Sequence, residues 1–201
     1  MNMKIVLASN NKHKVAELYA FMKKISEDIE ILTLSDIGFT DEIIEDGETF
    51  EENALIKARA ISKLGYIAVA DDSGLCVDAL GGEPGVYSAR YAGEPCDDEK
   101  NNDKLLEAIK EVPDGERSAW FVSAIACAFP DGKTITAIGR CPGEIIRARR
   151  GNGGFGYDPL FWYKPLGKTY AELTAEEKSQ VSHRARAMEK FTELFAKEMN
   201  L

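Results

Sequence analysis

Asp71 and Asp72 stand side by side immediately after the apolar run 66–70, and Ser73 and Gly74 follow them. Adjacent acids after a strand can form a turn in which one side chain caps the backbone, or they can put a carboxylate into a site. A second acidic group, Glu45, Asp46 and Glu48, precedes a segment with helical periodicity. A hard cation such as Mg²⁺ takes oxygen ligands gathered from separate segments, so the two groups together could hold one. A solvated charge run is the competing reading of residues 45–48.

Cations that would complement such a site occur elsewhere. Ser9, Asn10, Asn11, Lys12, His13 and Lys14 join an apolar run to a helix start. Backbone N–H groups and the positive end of a helix dipole favour an anion there, and Lys12 and Lys14 suit a phosphate. An N-cap turn with solvated lysines is the alternative. The segment lacks the Gly spacing and GK[ST] ending of a P-loop, and Gly167-Lys168-Thr169 fails because Trp162 stands where the first Gly would be. Further on, Lys178, Ser182, His183 and Arg184 gather donors at the start of the last helix. With two histidines in the chain and no Gly-x-Ser-x-Gly elbow, a serine-hydrolase triad finds no support.

Residues 151–156 match G-x-G-x-x-G literally, but Tyr157-Asp158-Pro159 and a strand-like run follow instead of a helix. The dinucleotide fingerprint needs strand-to-helix context, so the match does not carry that meaning. The glycines allow close backbone approach to a flat ligand, with Phe155 or Tyr157 available to stack on it. A tight loop with core aromatics is the other reading.

The elements that must position these residues follow from periodicity. Residues 3–8 read as a buried strand, after which Val15, Leu18, Tyr19, Met22 and Ile25 recur at the spacing of one helix face. A short strand is expected near 29–34. Thr49 and Glu52 have capping-box spacing, which predicts a helix over 50–64. Strands are expected at 66–70, 118–129, 133–139 and 160–163, with 144–147 a possible extension, and helices at 97–110 and 182–199. Pro130-Asp131-Gly132 suits an antiparallel hairpin, which could form a second lobe. The Gly- and Pro-rich segment 74–95 reads as an ordered loop. Mixed strands and helices make the class α/β or α+β.

The 201 residues, 44% hydrophobic and 29% charged, suffice for one compact domain or two lobes. A formal charge of -9 argues against a general nucleic-acid binder, whose affinity comes from many phosphate contacts by Lys and Arg. Cys76, Cys96, Cys127 and Cys141 form no CxxC pair and are expected to be reduced thiols. No run approaches the roughly 20 apolar residues of a membrane span, and the N-terminal apolar run is too short for a secretory signal. A soluble cytoplasmic protein is the expectation.

Five stretches, "LASNNKHKVAEL", "EDGETFEENALIKA", "ADDSGLCVDALGGEPGVYSARYAG", "GNGGFGYDPLF" and "KTYAELTAEEKSQVSHRARAM", occur in an order and at spacings that resemble the inosine triphosphate pyrophosphatase family. They cover nearly the whole chain. The resemblance implies an α/β fold with a mixed elongated central sheet flanked by helices, two lobes around a deep cleft, and a homodimer. It implies Mg²⁺-dependent hydrolysis of ITP, dITP and XTP to the monophosphate and pyrophosphate. By position, Ser9, Asn10, Asn11, Lys12, His13 and Lys14 would hold the phosphates with Lys57. Glu45 and Asp72 would hold the metal, with Glu42 and Glu48 as substitutes for Glu45, and Asp72 would take the proton from water. Ser73 would contact substrate, while Phe155, Gly156, Tyr157, Asp158, Lys178, His183 and Arg184 would line the base pocket. The first loop carries Asn11 and His13 where the family often has Gly.

The residue types fit that chemistry. A triphosphate carries about four negative charges, which the lysines and a divalent ion would offset against an incoming oxygen nucleophile. A 6-oxo purine offers an acceptor where adenine offers a donor. Arg184 or Lys178 would pair with the former, and a missed polar partner can discriminate by on the order of 10⁴. A nucleotide-binding sensor without catalysis and a pyrophosphatase for other modified bases are the alternatives.

Overall fold

The computed structural model describes residues 3–26 and 29–200. The first strand, β1 (Met3–Leu7), buries Ile5, Val6 and Leu7 completely. Neighbouring residues on a strand face opposite sides, so consecutive buried residues mean that both faces are covered, as in parallel sheets. Its neighbours agree. β1 pairs in parallel with β2 (Ile29–Thr33) and with β3 (Ile67–Val77).

Two helices link these strands. In α1 (Lys12–Ile25), Leu18 and Met22 are one turn apart and buried. Tyr19, expected on the same face, is 46% exposed, because one residue beyond Leu18 is about 100° further round the helix. In α2 (Phe50–Ser62), Thr49 and Glu52 form the expected capping box. Ala54, Ala58 and Ile61 pack with Val6, Ala68 and Ala70, a set of small side chains that lets the helix approach the strands closely.

The described strands form one seven-stranded sheet in the order β2-β1-β3-β4-β5-β6-β7. β4 (Ser118–Ala128) and β5 (Thr134–Ile145) are joined by a turn in which the Gly132 N–H donates to the Phe129 carbonyl. So short a connection requires antiparallel neighbours. β6 (Phe161–Tyr163) pairs antiparallel with β5 and with β7 (Lys168–Thr169), so the sheet is mixed and the class is α/β. The remaining α-helices are α3 (Asp98–Ala108), α4 (Ala175–Val181) and α5 (His183–Met199), and short 3-10 turns at Asp78–Leu80 and Gly85–Arg90 lie within the segment expected as a loop.

Two strand bounds differ from expectation, and two short elements were not anticipated. β3 does not stop at residue 70 but continues to Val77, so Asp71 and Asp72 lie inside a strand and form no turn. β5 runs on past Gly139 without a break and takes in Glu144 and Ile145, in keeping with the extension expected at 144–147. α4 and the two-residue β7 had no counterpart in the periodicity reading. α4 is too short to show a stripe, although Thr174 and Glu177 spell its capping box.

The chain divides into two compact units. Met1–Asp72, Ser123–Gly139 and Arg186–Leu201 make up the first. Its core includes Leu7, Leu18, Met22, Val69, Phe191 and Phe195. Ser73–Val122 and Arg140–Ala185 make up the second, whose core is rich in rings, with Phe121, Tyr157, Phe161 and Tyr170. The β4–β5 hairpin is therefore not a lobe of its own: its tip belongs to the first unit and its ends to the second.

Candidate functional site

Within the first unit, β3 supplies the two acids and the helices supply their cations. Asp71 is wholly buried; the Lys14 Nζ lies 3.1 Å from its Oδ2, and the Ser123 hydroxyl donates to its Oδ1. Asp72, 8% exposed, faces a different lysine. The Lys57 Nζ is 3.5 Å from Asp72 Oδ1 and 2.5 Å from Glu45 Oε2. Alternation along the strand separates the two like charges, and each is met by its own cation.

Burial, the strongest influence on Asp72, pushes its pKa up; Lys57 and then Lys14 pull it down, and the net result is above the ordinary aspartate value. For Lys57, burial is the largest single influence and acts downward, but Asp72, Glu45 and Asp71 together raise its pKa above the usual lysine value. Lys57 therefore stays a cation, while Asp72 has more affinity for a proton than a surface aspartate.

Glu45 is held in place by the start of α2. The Gly47 N–H donates to Asn53 Oδ1 at 2.8 Å, and the Glu48 and Thr49 N–H groups donate to Glu52 Oε2. A Cβ at Gly47 would come within 2.7 Å of Asn53 Oδ1, so the segment needs Gly. Glu42 and Glu48 are exposed, whereas Glu45 carries the described bond to Lys57.

The donor set suits a hard divalent ion. Asp72 Oδ2 is buried and has no hydrogen-bond partner among the described residues. Glu45 and Asp72 offer oxygen only, as Mg²⁺ requires. Among the described residues no group of three or more His, Cys, Asp and Glu forms a complete cage.

The first loop is capped from within. Asn11 Oδ1 accepts from the His13 and Lys14 N–H groups, and Ser9 Oγ accepts from the Asn11 N–H. Several of the N–H groups expected to bind an anion are thus already satisfied. Cationic pull at this helix start comes from its dipole, from the exposed Lys12 and from Lys14, which is shared with Asp71. Asn11 sits at φ -78°, an ordinary conformation that does not call for Gly. Asn10 and His13 are exposed.

The second unit holds the remaining predicted residues. The Lys178 Nζ lies 2.5 Å from Asp158 Oδ2 and 4.8 Å from the centre of the Phe155 ring. The same Asp158 oxygen accepts from the Phe155 N–H at 3.0 Å. Gly154, at φ +72°, has no room for a Cβ, which would fall 1.9 Å from Asp158 Oδ2. His183 stacks on Phe121 at 4.8 Å, and Arg184, 1% exposed, donates to Ser73 Oγ at 2.9 Å. Tyr157 is buried in the ring-rich core, with its hydroxyl donating to the Ser88 carbonyl. As expected from the sequence, no helix opens after the Gly-rich loop; a turn leads into β6.

Sequence reading missed Ser123 and Asn53, which hold the acids and their neighbours in place. Asn53 stands on the buried side of α2, where a polar residue in an apolar pattern was the available signal. Ser123 had no signal, since its role depends on β4 lying beside β3.

Comparison with known proteins bears out the resemblance. The model of the Ham1 family matches residues 5–194. A dITP/XTP pyrophosphatase of Leuconostoc mesenteroides is 48% identical over 190 residues, covering 93% of this chain and 94% of the relative. Among solved structures, the Ham1 protein of Staphylococcus aureus is 42% identical with a TM-score of 0.88, covering 97% and 99% of the two chains. A nucleoside-triphosphatase / dITP/XTP pyrophosphatase of Mycobacterium abscessus is 47% identical with a TM-score of 0.79, covering 94% and 98%.

Proposed function

The chain belongs to the Ham1 family, and from that premise we propose that it hydrolyses non-standard purine nucleoside triphosphates, dITP, ITP and XTP, to the monophosphate and pyrophosphate. The relatives' names supply the substrate class. Asp72 carries the chemical argument: a buried carboxylate with one oxygen unpartnered, a raised proton affinity and a lysine beside it. Such a group can accept a proton from a water that attacks a phosphorus.

Lys12, Lys14 and Lys57 would hold the phosphates, with Ser9, Asn10, Asn11 and His13 forming the loop around them. Lys57 would exchange part of its contact with Glu45 and Asp72 for a phosphate oxygen and so lower the repulsion met by the incoming water. Glu45 and Asp72 would hold Mg²⁺, which when bound supplies charge neutralisation and a more acidic water. Ser73 follows Asp72 in the chain and accepts from Arg184, so a peptide bond joins the proposed base to the segment that reads the purine. Phe155, Gly156, Tyr157, Asp158, Lys178, His183 and Arg184 would form that reading surface, with Tyr157 contributing through its backbone. We take the two units as lobes of one catalytic domain, in a cytoplasmic homodimer. Among the described residues no helix is long and apolar enough to cross a membrane.

Purified protein given Mg²⁺ with ITP, XTP, dITP, GTP or ATP should release pyrophosphate from the first three. Release of orthophosphate, or equal turnover of ATP, would overturn the reading. Arg184→Ala should erode the preference for ITP over ATP, and an unchanged ratio would remove Arg184 from the base pocket.

A further inference from the structure

Helix α3 carries Asn101 and Asn102 as consecutive interior residues, 2% and 1% exposed. Asparagine is a weak helix former, and burying its amide is unfavourable unless the amide is hydrogen-bonded. Both side chains bond to backbone, although Asn102 Oδ1 is buried without a hydrogen-bond partner among the described residues. The Asn101 side chain donates to the Ala89 carbonyl and accepts from the Ala92 N–H. The Asn102 Nδ2 donates to the Gly156 carbonyl at 2.8 Å as well as to the Asp98 carbonyl. One turn earlier, Asp98 Oδ2 accepts from the Gly156 N–H at 2.7 Å.

Gly156 is thus gripped at both its N–H and its carbonyl by an i, i+4 pair of one helix. It adopts φ +61° in open space, where a Cβ would meet nothing within 4 Å. Crowding does not fix its conformation, so the grip from α3 has a conformation to hold. On either side stand Phe155 and Asp158, joined by the N–H bond to Asp158 Oδ2 that Lys178 shares. Turning the Gly156 peptide would displace the Phe155 ring and the acid that positions Lys178.

We propose that Asp98 and Asn102 are positioning residues for base selection, acting through the Gly156 peptide on Phe155, Asp158 and Lys178. This rests on the function proposed above. Neither residue belongs to the predicted substrate contacts, and Asp98 is exposed, so its removal leaves the core intact.

The test is steady-state hydrolysis of ITP and of ATP by wild type, Asp98→Ala, Asp98→Asn and Asn102→Ala, with thermal unfolding of each. A charge-assisted hydrogen bond lost at the loop should raise the KM for ITP about tenfold in Asp98→Ala and lower the ITP-to-ATP ratio of kcat/KM similarly. Its kcat should stay within about threefold, because the water-activating group is untouched. Asp98→Asn keeps an acceptor and should restore selectivity. Asn102→Ala should match Asp98→Ala in the ratio, with a lower unfolding temperature. A folded Asp98→Ala with wild-type KM and ratio, or with a uniform fall in kcat alone, overturns the proposal. Wild type that fails to hydrolyse ITP overturns the function itself and the proposal with it.

Discussion

At the scale of the residue, Asp71 and Asp72 do opposite work with the same side chain. Asp71 is wholly buried, paired to Lys14 and bonded to Ser123, so its charge is compensated. Breaking a buried pair leaves an isolated charge, and Asp71→Ala should lower unfolding free energy by about 3 kcal/mol in urea titrations. Asp72 is buried with one oxygen unpartnered and its pKa raised. The unfolded chain ionises this group near 3.8 and the folded chain only at higher pH. Its ionisation thus lowers stability as pH rises through the folded value, and the full cost is present above it. Asp72→Asn should therefore be at least as stable as wild type at pH 7, while losing on the order of 10² to 10⁴ in turnover. A large stability loss with turnover retained would contradict both parts.

At the scale of the element, two segments are shaped to present one or two side chains. The approach to α2 is folded back on Asn53 and Glu52 so that Glu45 reaches Lys57. Thr49→Ala removes the N-cap and should lower stability by about 1 kcal/mol in denaturant titrations. The Gly-rich loop is organised around Asp158, which has no space to spare beside Gly154. Gly154→Ala combines a strained φ with a clash into that carboxylate, so Asp158 must move. Expected in steady-state kinetics is a raised KM for ITP and a smaller preference over ATP, with the acid limb of the pH profile unmoved because Asp72 is unaltered.

At the scale of the whole molecule, the residues proposed for phosphate chemistry belong to the first unit and those proposed for the base to the second. The two kinds of function should therefore separate on mutation: Lys57→Met in the first unit should lower kcat for every substrate alike, whereas Lys178→Met should change the ratio between ITP and ATP. Rates measured on both nucleotides check this. Chelation of divalent ions should abolish turnover and re-addition of Mg²⁺ restore it. Light scattering should return twice the mass of one chain if the dimer inferred from the resemblance forms.

Local rules reach far into this protein. Strand β1, the buried face of α1, the capping box of α2 and the rejection of a dinucleotide fingerprint at 151–156 all follow from period, caps and context, each written within about fifteen residues. The family resemblance rests on motif order, which is also a property of the chain alone. Tertiary structure decided where the acids lie and which cations meet them. Read alone, Asp71-Asp72 stood evenly between a turn and a site, and the family resemblance assigned Asp72 to the site. They sit inside β3 because Lys14 from α1, Lys57 from α2 and Ser123 from β4 converge on it and compensate charges no strand could bury by itself. The same holds for Glu45, distinguished from Glu42 and Glu48 by Lys57 twelve residues away, and for Gly156, held from α3 more than fifty residues away. Partners so distant in the chain leave no periodic trace in it, because side-chain pairing across elements exists only after the elements have packed.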